Sequence, residues 1–357
     1  MKFGVIGAGG IGAVRADALR ASPDCALAAV YDVDQARAGQ VAQGASVHAS
    51  PEAMFADPGV DAVILSTPPQ FHEGLAIAAM KAGKHVLVEK PMAASVDACL
   101  RMMATSVETG RLLTVGFNHR YFEALKLVRD VVQSGELGQL SHVKAFAGHT
   151  GLKEFKAPWM YDAGVMGGGA LFDNGIHVLD LVRYVMGDFR EVYGQTTNRI
   201  WNLGAAENDA FALFKSEDGV LGSLHASWSE WKGYQFHIEA YGDKGMARAY
   251  YAPMMATIIR MDRPGGAAKV ERKFFPKAIL REKLKGWQST VIGAFVEEFA
   301  DFKAAAEGRP GSGRLATGLD GLRSIEVAKA VYASGQAGKS LILPKRSAAD
   351  LNLGAAA

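Results

Sequence analysis

The chain has little of what marks several other protein classes. Only Cys25 and Cys99 of its 357 residues are cysteine, and its nine histidines form neither an HExxH nor a zinc-finger spacing. Neither a disulfide framework nor a metal site is therefore predicted. No run approaches the ~18 to 20 apolar residues that span a bilayer. The net charge is only +2, which argues against membrane and nucleic-acid partners and favours a small molecule.

The remaining composition is that of a globular protein. Hydrophobic residues make up 49% and charged residues 21% of the chain, and its length favours two domains. The apolar start MKFGVIGAGGIG is interrupted by glycine too early for a signal peptide. With so few cysteines, this predicts a cytoplasmic protein.

Strand-like and helical segments alternate in the first third of the chain. The runs KFGVI, CALAAVYD, AVILSTP, HVLVEKP and LLTVGFN predict buried strands, with Ala-rich helical stretches between several of them. This order is typical of parallel βαβ units. We therefore predict an α/β fold class, with an N-terminal Rossmann dinucleotide-binding domain over residues 1–120.

The pattern changes after a predicted helix near residues 122–134. Alternating runs from LSHVKAFAG onward are separated by short turns, which favours antiparallel hairpins, and helical stretches at 168–186, 288–306 and 318–334 are expected to cover one face of that sheet. Residues 121–345 are thus predicted to form an α+β domain for substrate binding and oligomerisation. Residues 346–357 carry no periodicity and are predicted to be a flexible tail.

A glycine pattern directly after the first strand predicts a dinucleotide site. Gly7, Gly9 and Gly12 give GxGxxG at the start of a helix, where they permit a tight turn, approach of a pyrophosphate and close packing. Gly10 and Ile11 complete this candidate turn. The alternative is a glycine-rich turn that binds no ligand.

Asp32 is the candidate that distinguishes NAD from NADP. It ends the second strand 20 residues after Gly12, the spacing at which a carboxylate reaches the adenosine ribose hydroxyls. A 2′-phosphate would be repelled there, and Arg37 is the only nearby cation, so NAD is the predicted cofactor. The alternative is that Asp32 merely ends a strand.

Two further segments carry candidate reacting groups. Lys90 follows the strand HVLV, at the edge of a parallel sheet where ligands bind, although a strand-end lysine is often simply exposed to solvent. Asp173, His177 and Asp180 are spaced i, i+4 and i+7 and would share one face of an apolar helix. Buried there, they need a ligand or one another as hydrogen-bond partners.

The order of these motifs resembles a known family. GAGGIG, STPPQFH, VEKP, VGFNHRY, GGGALFDNGIHVLDL and EAYGDKG are similar, through nearly the whole chain, to the glucose-fructose oxidoreductase, inositol dehydrogenase and MocA (Gfo/Idh/MocA) family. The resemblance implies a Rossmann domain followed by a domain with an open-faced, mainly antiparallel sheet, and a homodimer or homotetramer. It also implies oxidation or reduction of a sugar, inositol or related polyol with a nicotinamide cofactor.

The resemblance also assigns roles to residues. Lys90 matches the family's lysine in EKP, and Asp173 and His177 match the acidic residue and histidine of its helix motif. Oxidation of an alcohol needs a base and a hydrogen-bond donor at the reacting oxygen. His177 is expected to be the base and Lys90 the donor, with the exchanged roles left open, while Asp173 orients the substrate or the imidazole. Asp180 is expected to support the helix or His177.

Other candidates belong to the same motifs. The loop reads TPP where many members of the family have TPN, so any cofactor contact made by that asparagine is in doubt. His72 is either near the nicotinamide or packs the loop. Arg120, Trp159 and Tyr161 are candidate walls of the substrate site, or else core residues. The candidate cofactor contacts of these loops and of the EKP motif are Thr67, Pro68, His72, Glu89 and Lys90.

We therefore predict an NAD(P)-dependent dehydrogenase that prefers NAD and acts on a hydroxyl of a sugar, cyclitol or sugar acid. Two alternatives have different chemistry. One is an NAD-assisted glycosidase of the same superfamily, and the other is a non-catalytic NAD-binding regulator, which would not need Lys90, Asp173 and His177.

Overall fold

The computed structural model describes residues 1–151 and 158–345. Its chain divides into two units, of which the first contains Met1–Tyr121 and Glu282–Arg323, and the second Phe122–Arg281 and Ser324–Lys345. The sequence analysis expects a first domain that is one continuous segment ending near residue 120. In the structure, the later segment Glu282–Arg323 also belongs to the first unit. The predicted tail, residues 346–357, lies outside the described residues.

The first unit contains a parallel sheet. Its strands are β1 (Lys2–Ile6), β2 (Ala26–Tyr31), β3 (Ser46–Val47), β4 (Ala62–Leu65), β5 (His85–Val88) and β6 (Leu113–Val115). They lie in the order β3-β2-β1-β4-β5-β6, all parallel, which is the strand order of a Rossmann sheet. The helices of this stretch are α1 (Gly10–Ala21), α2 (Gln35–Ala42), α3 (Pro51–Ala56), α4 (His72–Lys81) and α5 (Val96–Thr109).

One later helix belongs to this unit as well. Helix α10 (Gln288–Ala306) packs on α1, and the ring of Phe3 lies 5.4 Å from that of Phe299 and 5.3 Å from that of Phe302. The bounds of α10 are those predicted. The expectation that this helix covers the second sheet is wrong, because its aromatic side chains complete the core beside β1.

The second unit contains nine strands. They are β7 (Leu140–Gly148), β8 (Phe189–Thr197), β9 (Asp209–Ser216), β10 (Leu221–Ser227), β11 (Gln235–Gly242), β12 (Gly245–Tyr251), β13 (Met255–Arg260), β14 (Lys269–Phe274) and β15 (Leu341–Ile342). Its sheet order is β14-β13-β12-β11-β7-β10-β9-β8-β15. The pairs are antiparallel except β7 with β10, which is parallel. The predicted fold class, a Rossmann domain followed by a mainly antiparallel sheet, is confirmed.

Helices cover one face of this second sheet. They include α8 (Ile176–Met186), which packs on the central strands β7, β10 and β11, and α6 (Glu123–Gln133), which packs mainly on β12 and β13. The short helix α7 (Ala163–Met166) precedes α8, and α9 (Pro276–Lys285) and α11 (Gly318–Ala337) each cross a unit boundary. The other face carries exposed apolar side chains, among them Phe211 (50% exposed) and Leu213 (58%). Among the residues described, no helix has both the length and the apolar character needed to cross a membrane.

Candidate active site

Steric exclusion determines the glycine turn after β1. Gly7 has φ +94°, and a Cβ there would lie 2.7 Å from the carbonyl oxygen of Ser66. A Cβ at Gly12 would collide with the carbonyl oxygen of Gly7. At Gly9 and Gly10 a Cβ would meet no described atom within 4 Å. The turn is therefore tightly packed on one side and open at the start of α1, where unpaired backbone N–H groups favour an anion.

Asp32 is fixed beside this turn. It is 7% exposed, and its carboxylate accepts hydrogen bonds from the backbone N–H groups of Ala8 (2.7 Å) and Asp34 (2.8 Å). Arg37 Nη2 lies 3.8 Å from Asp32 Oδ1 and 3.1 Å from Asp34 Oδ2. The carboxylate thus has a defined position, and the one cation noted in the sequence is shared with the neighbouring aspartate.

His72 joins two loops at the carboxyl edge of the parallel sheet. It is fully buried, with Nε2 2.8 Å from the carbonyl oxygen of Thr67 and Nδ1 3.2 Å from those of Pro91 and Met92. Burial lowers the pKa of His72 despite these carbonyls. This geometry favours the loop-packing alternative over a cofactor contact. In the same loop, the buried hydroxyls of Ser66 and Thr67 have no hydrogen-bond partner among the described residues.

A buried cation holds the glutamate that precedes Lys90. Arg15, on α1, donates from Nε to Glu89 Oε1 at 2.6 Å, pairs with Glu298 on α10, and lies 3.5 Å above the ring of Phe295. Burial raises the pKa of Glu298 to about 7, against the opposing charge of Arg15. The Glu89 carboxylate is therefore bound by protein groups. It stabilises the end of β5, next to Lys90.

Lys90 lies half-buried before a cis peptide bond to Pro91. Burial, together with the positive charge of Lys90, lowers the pKa of the His119 imidazole to about 3. His119 is thus a neutral neighbour of Lys90 that the sequence analysis missed. Arg120 is 3% exposed and pairs with Asp320 at 3.2 Å, which favours the alternative of a core residue over a substrate wall.

The second candidate segment contains two helical forms. Asp173 lies in a π turn (Leu171–Gly175) that continues directly into α8, which carries His177 and Asp180. All three side chains are buried, at 6%, 8% and 0% exposure. The predicted single helix over 168–186 is thus interrupted by a π turn, a form found frequently at functional sites.

Two side chains that the sequence analysis missed hold Asp173. Its Oδ2 lies 2.8 Å from His149 Nε2 and accepts a hydrogen bond from Trp228 Nε1 at 3.0 Å. The backbone N–H of Gly151 donates to His149 Nδ1 at 3.0 Å, so Nδ1 is the acceptor and Nε2 carries the proton. The orientation of the Asp173 carboxylate is therefore fixed by an imidazole and an indole.

The glycines before the π turn make room for another buried carboxylate. A Cβ at Gly168 would collide with the Tyr332 hydroxyl, and one at Gly169 with the backbone of Glu207. Glu207 accepts from the N–H groups of Gly169 (2.7 Å) and Leu171 (2.8 Å) and from the Tyr332 hydroxyl (2.9 Å). Burial raises the pKa of Glu207. This carboxylate anchors the segment that carries Asp173.

Strand directions explain why these partners meet. Because β7 and β10 are parallel, and both β8 and β10 are antiparallel to β9, the carboxyl ends of β7, β8 and β10 lie at one edge of the sheet. His149 follows β7, and Trp228 follows β10. Tyr161 packs against Trp228 at 6.1 Å, and Trp159 is half-buried in the same 3-10 turn, Pro158–Tyr161. The sequence predicts antiparallel hairpins, so it does not place His149 beside Trp228.

The predicted site residues thus form two groups, one in each unit. The first unit contains Gly7, Gly9, Gly10, Ile11, Gly12, Asp32, Thr67, Pro68, His72, Glu89, Lys90 and Arg120, and the second contains Trp159, Asp173, His177 and Asp180. Within residues 1–151 and 158–345, no group of three or more His, Cys, Asp or Glu side chains is arranged to hold a metal ion.

Comparisons with known proteins identify the family. The model of an oxidoreductase family with an NAD-binding Rossmann fold matches residues 1–117, and the model of the GFO/IDH/MocA C-terminal domain matches residues 125–248. The chain belongs to the Gfo/Idh/MocA oxidoreductase family. The resemblance noted in the sequence is confirmed.

Similar members of this family are named for inositol. Inositol 2-dehydrogenase 2 of Saccharopolyspora erythraea is 30% identical over 341 residues, covering 92% of this chain and 91% of its own. Myo-inositol 2-dehydrogenase of Thermotoga maritima is 31% identical over 253 residues, covering 69% and 74%. The solved structure of GenD2 from gentamicin A biosynthesis, in complex with NAD, has a TM-score of 0.80 at 24% identity and covers 97% of each chain, which supports the fold.

The first unit is the NAD-binding Rossmann domain of this Gfo/Idh/MocA protein, and its residues fit that cofactor. The open space at Gly9 and Gly10 admits a pyrophosphate beside the N-terminus of α1. The Asp32 carboxylate, fixed by two backbone N–H groups, is available to ribose hydroxyls. The predicted cofactor, NAD, is confirmed.

Proposed function

We propose that this oxidoreductase is a dehydrogenase that transfers hydride between NAD and a hydroxyl-bearing carbon of a sugar, cyclitol or sugar acid. The observation that carries the proposal is the hydrogen-bonded Asp173, set one turn before His177 and held by His149 and Trp228. A buried carboxylate of fixed orientation, on the same helical segment as an imidazole, suits a substrate rich in hydroxyl groups. A regulator that only binds NAD has no need of this arrangement.

In the proposed mechanism, Lys90 and His177 act on the reacting oxygen. When bound, NAD supplies the hydride acceptor. Lys90 donates a hydrogen bond to the hydroxyl oxygen, and its neighbour His119 is neutral and does not compete as a cation. His177 removes the hydroxyl proton as the alcohol is oxidised. Asp173, whose carboxylate is held by His149 and Trp228, orients the substrate.

A cofactor and substrate panel tests this proposal. Purified protein is incubated with NAD and a set of inositols, aldoses and sugar acids, beginning with myo-inositol because of the names of the relatives. Absorbance at 340 nm and product chromatography are followed together. Net NADH formation supports the dehydrogenase. Bond cleavage without net NADH supports the glycosidase instead, and NAD binding with neither product supports the regulator.

We also propose that NAD is preferred over NADP. A 2′-phosphate would approach the fixed carboxylate of Asp32, which repels it. Arg37 offsets only part of this repulsion, because it also pairs with Asp34. The preference is therefore expected to be marked and sensitive to both Asp32 and Arg37.

A homodimer or homotetramer is proposed from the uncovered face of the second sheet. This face exposes Tyr193, Phe211, Leu213 and Leu221 at 36%, 50%, 58% and 55%. Contiguous exposed apolar side chains typically mark a protein interface. Light scattering at micromolar concentration should give a mass of two or four chains, and Leu213→Asp should reduce it. Val107→Asp, an equally simple change at an exposed position of α5 (45%), should leave the mass unchanged. A monomeric unmodified protein would contradict the proposal.

A further inference from the structure

Two tryptophans form an exposed corner at the edge of the sheet where β7, β8 and β10 end. Trp201 follows β8 and Trp231 follows β10. Their ring centroids are 5.7 Å apart and their planes are inclined by 62°, so each ring forms one wall. Trp231 is 59% exposed, and the neighbouring Ile200 is 49% exposed. A large apolar surface is therefore presented to solvent next to a polar site.

The loop that carries this corner is held in place. The Oδ1 atom of the buried Asn208 accepts hydrogen bonds from the N–H groups of Ile200 (2.9 Å) and Trp201 (2.8 Å). The Trp201 indole N–H donates to the carbonyl oxygen of Trp228 at 2.8 Å. Gly151 has φ +63°, and a Cβ there would lie 2.7 Å from Trp201 Nε1. An aromatic surface fixed in this way loses little conformational entropy when a ligand binds.

A single residue connects the corner with Asp173. The indole N–H of Trp228 donates to Asp173 Oδ2, and its carbonyl oxygen accepts from Trp201. A ligand that contacts Asp173 therefore lies at the same edge of the sheet as the corner. The corner offers two aromatic faces, which suit the apolar C–H face of a sugar ring while its hydroxyls stay in water.

We propose that Trp201 and Trp231 form a subsite for a second ring, so that the preferred substrates are glycosides or disaccharides of which one ring is oxidised. This rests on the proposed function, because it takes Asp173 to orient the ring that reacts. The second ring stacks on the face of Trp231, with Trp201 as the adjoining wall.

Trp231→Ala tests the subsite against a matched control, Trp287→Ala, which removes a tryptophan of similar exposure (58%) from the first unit. Each variant is assayed with a single-ring sugar or polyol and with its O-glucoside. Trp231→Ala should lower kcat/KM for the two-ring substrate about tenfold, the scale of one aromatic contact, and change that for the single-ring substrate less than twofold. Trp287→Ala should change neither. Calorimetric titration with cellobiose and maltose gives a second readout that needs no turnover.

The outcomes separate the two proposals. Equal losses for single-ring and two-ring substrates, or no loss for either, would overturn the subsite. If no sugar is oxidised, the dehydrogenase proposal fails, whereas disaccharide binding that is lost only in Trp231→Ala still supports the subsite. If Trp231→Ala lowers the mass in light scattering and leaves disaccharide binding unchanged, the corner is a subunit contact and the subsite is rejected.

Discussion

Buried carboxylates lie beside both candidate catalytic segments, but the two units stabilise them with different partners. In the first unit, Glu89 and Glu298 share the guanidinium of Arg15, which is itself fully buried. In the second, Glu207 accepts from two backbone N–H groups and a tyrosine hydroxyl, all of them neutral. The strand end at Lys90 is thus held by charge, and the π turn at Asp173 is anchored by uncharged donors.

This difference has energetic consequences. Removing one partner from a buried ion pair leaves an uncompensated charge and typically costs about 3 to 5 kcal/mol. Removing one neutral donor or acceptor costs about 1 to 3 kcal/mol. Substitutions of the same kind should therefore destabilise the first unit more than the second. Catalysis, in contrast, should depend on both segments.

The largest effect is expected at the two proposed reacting groups. Lys90→Ala and His177→Ala should each lower kcat by about 100- to 10,000-fold, the range of general acid-base catalysis, and leave NAD affinity within a few-fold of the unmodified protein. Steady-state kinetics and NAD titration measure both quantities.

Asp180→Asn serves as the comparison for this pair and should reduce kcat less, since we expect Asp180 to support the helix or His177. If His177→Ala keeps near-normal turnover and Lys90→Ala is inactive, Lys90 is the base. If both variants retain near-normal turnover while folded and bound to NAD, the active site lies elsewhere.

Arg15→Met is expected to have the next largest effect, on stability. It leaves Glu89 and Glu298 buried without their cation and should lower the free energy of unfolding by about 3 to 5 kcal/mol. Arg20→Met, on the same helix, removes a partly exposed pair with Asp17 and should cost at most about 1 kcal/mol. Denaturant unfolding gives both values. Adding Glu298→Gln to Arg15→Met should restore part of the loss; no restoration would mean that charge is not the cause.

Glu207→Gln tests the buried carboxylate that is held by uncharged donors. Its amide presents an N–H group where a backbone N–H now donates, so one hydrogen bond is lost, and the free energy of unfolding should fall by about 1 to 3 kcal/mol. Because Glu207 anchors the turn of Asp173, kcat should fall while NAD affinity is retained. The smaller change Tyr332→Phe removes only the hydroxyl that donates to Glu207 and should lower the free energy of unfolding less than Glu207→Gln does. If Glu207→Gln lowers the free energy of unfolding as much as Arg15→Met does, the two units do not differ in how strongly they depend on charge.

The same difference explains how much the sequence could predict. Gly7, Gly12 and Asp32 lie within one βαβ unit, and backbone sterics set their geometry, so spacing alone identifies them. The partners of the second segment are far along the chain. His149 and Trp228 are 24 and 55 residues from Asp173 and meet it only because β7 and β10 pair in parallel.

The partners of the buried charged residues are also too far apart along the chain to form a local sequence pattern. Tyr332 is 125 residues from Glu207, and Glu298 is 283 residues from Arg15. A charged residue on the apolar face of a helix, as Glu298 is between Phe295 and Phe302, is the one signal that a buried partner exists, although it does not name the partner. The helix of the second segment was predicted, but its π turn was not, because apolar periodicity does not distinguish the two helical forms.

Asp32 is the residue of the first unit that departs from the comparison, and its substitution is expected to have the smallest effect. Its carboxylate accepts from two backbone N–H groups, as Glu207 of the second unit does, and its nearest cation is 3.8 Å away and shared. Asp32→Ser should lower the free energy of unfolding by about 1 to 3 kcal/mol, since backbone N–H groups lose an acceptor. It should also lower the ratio of kcat/KM for NAD to that for NADP about tenfold, because one repulsive charge is removed. Arg37→Ala should raise that ratio, since it removes the cation that offsets the repulsion. Asp34→Ser should lower the ratio by less than Asp32→Ser does, because it releases Arg37 from its second carboxylate. Equal catalytic efficiency with both cofactors in the unmodified protein would contradict the proposed preference.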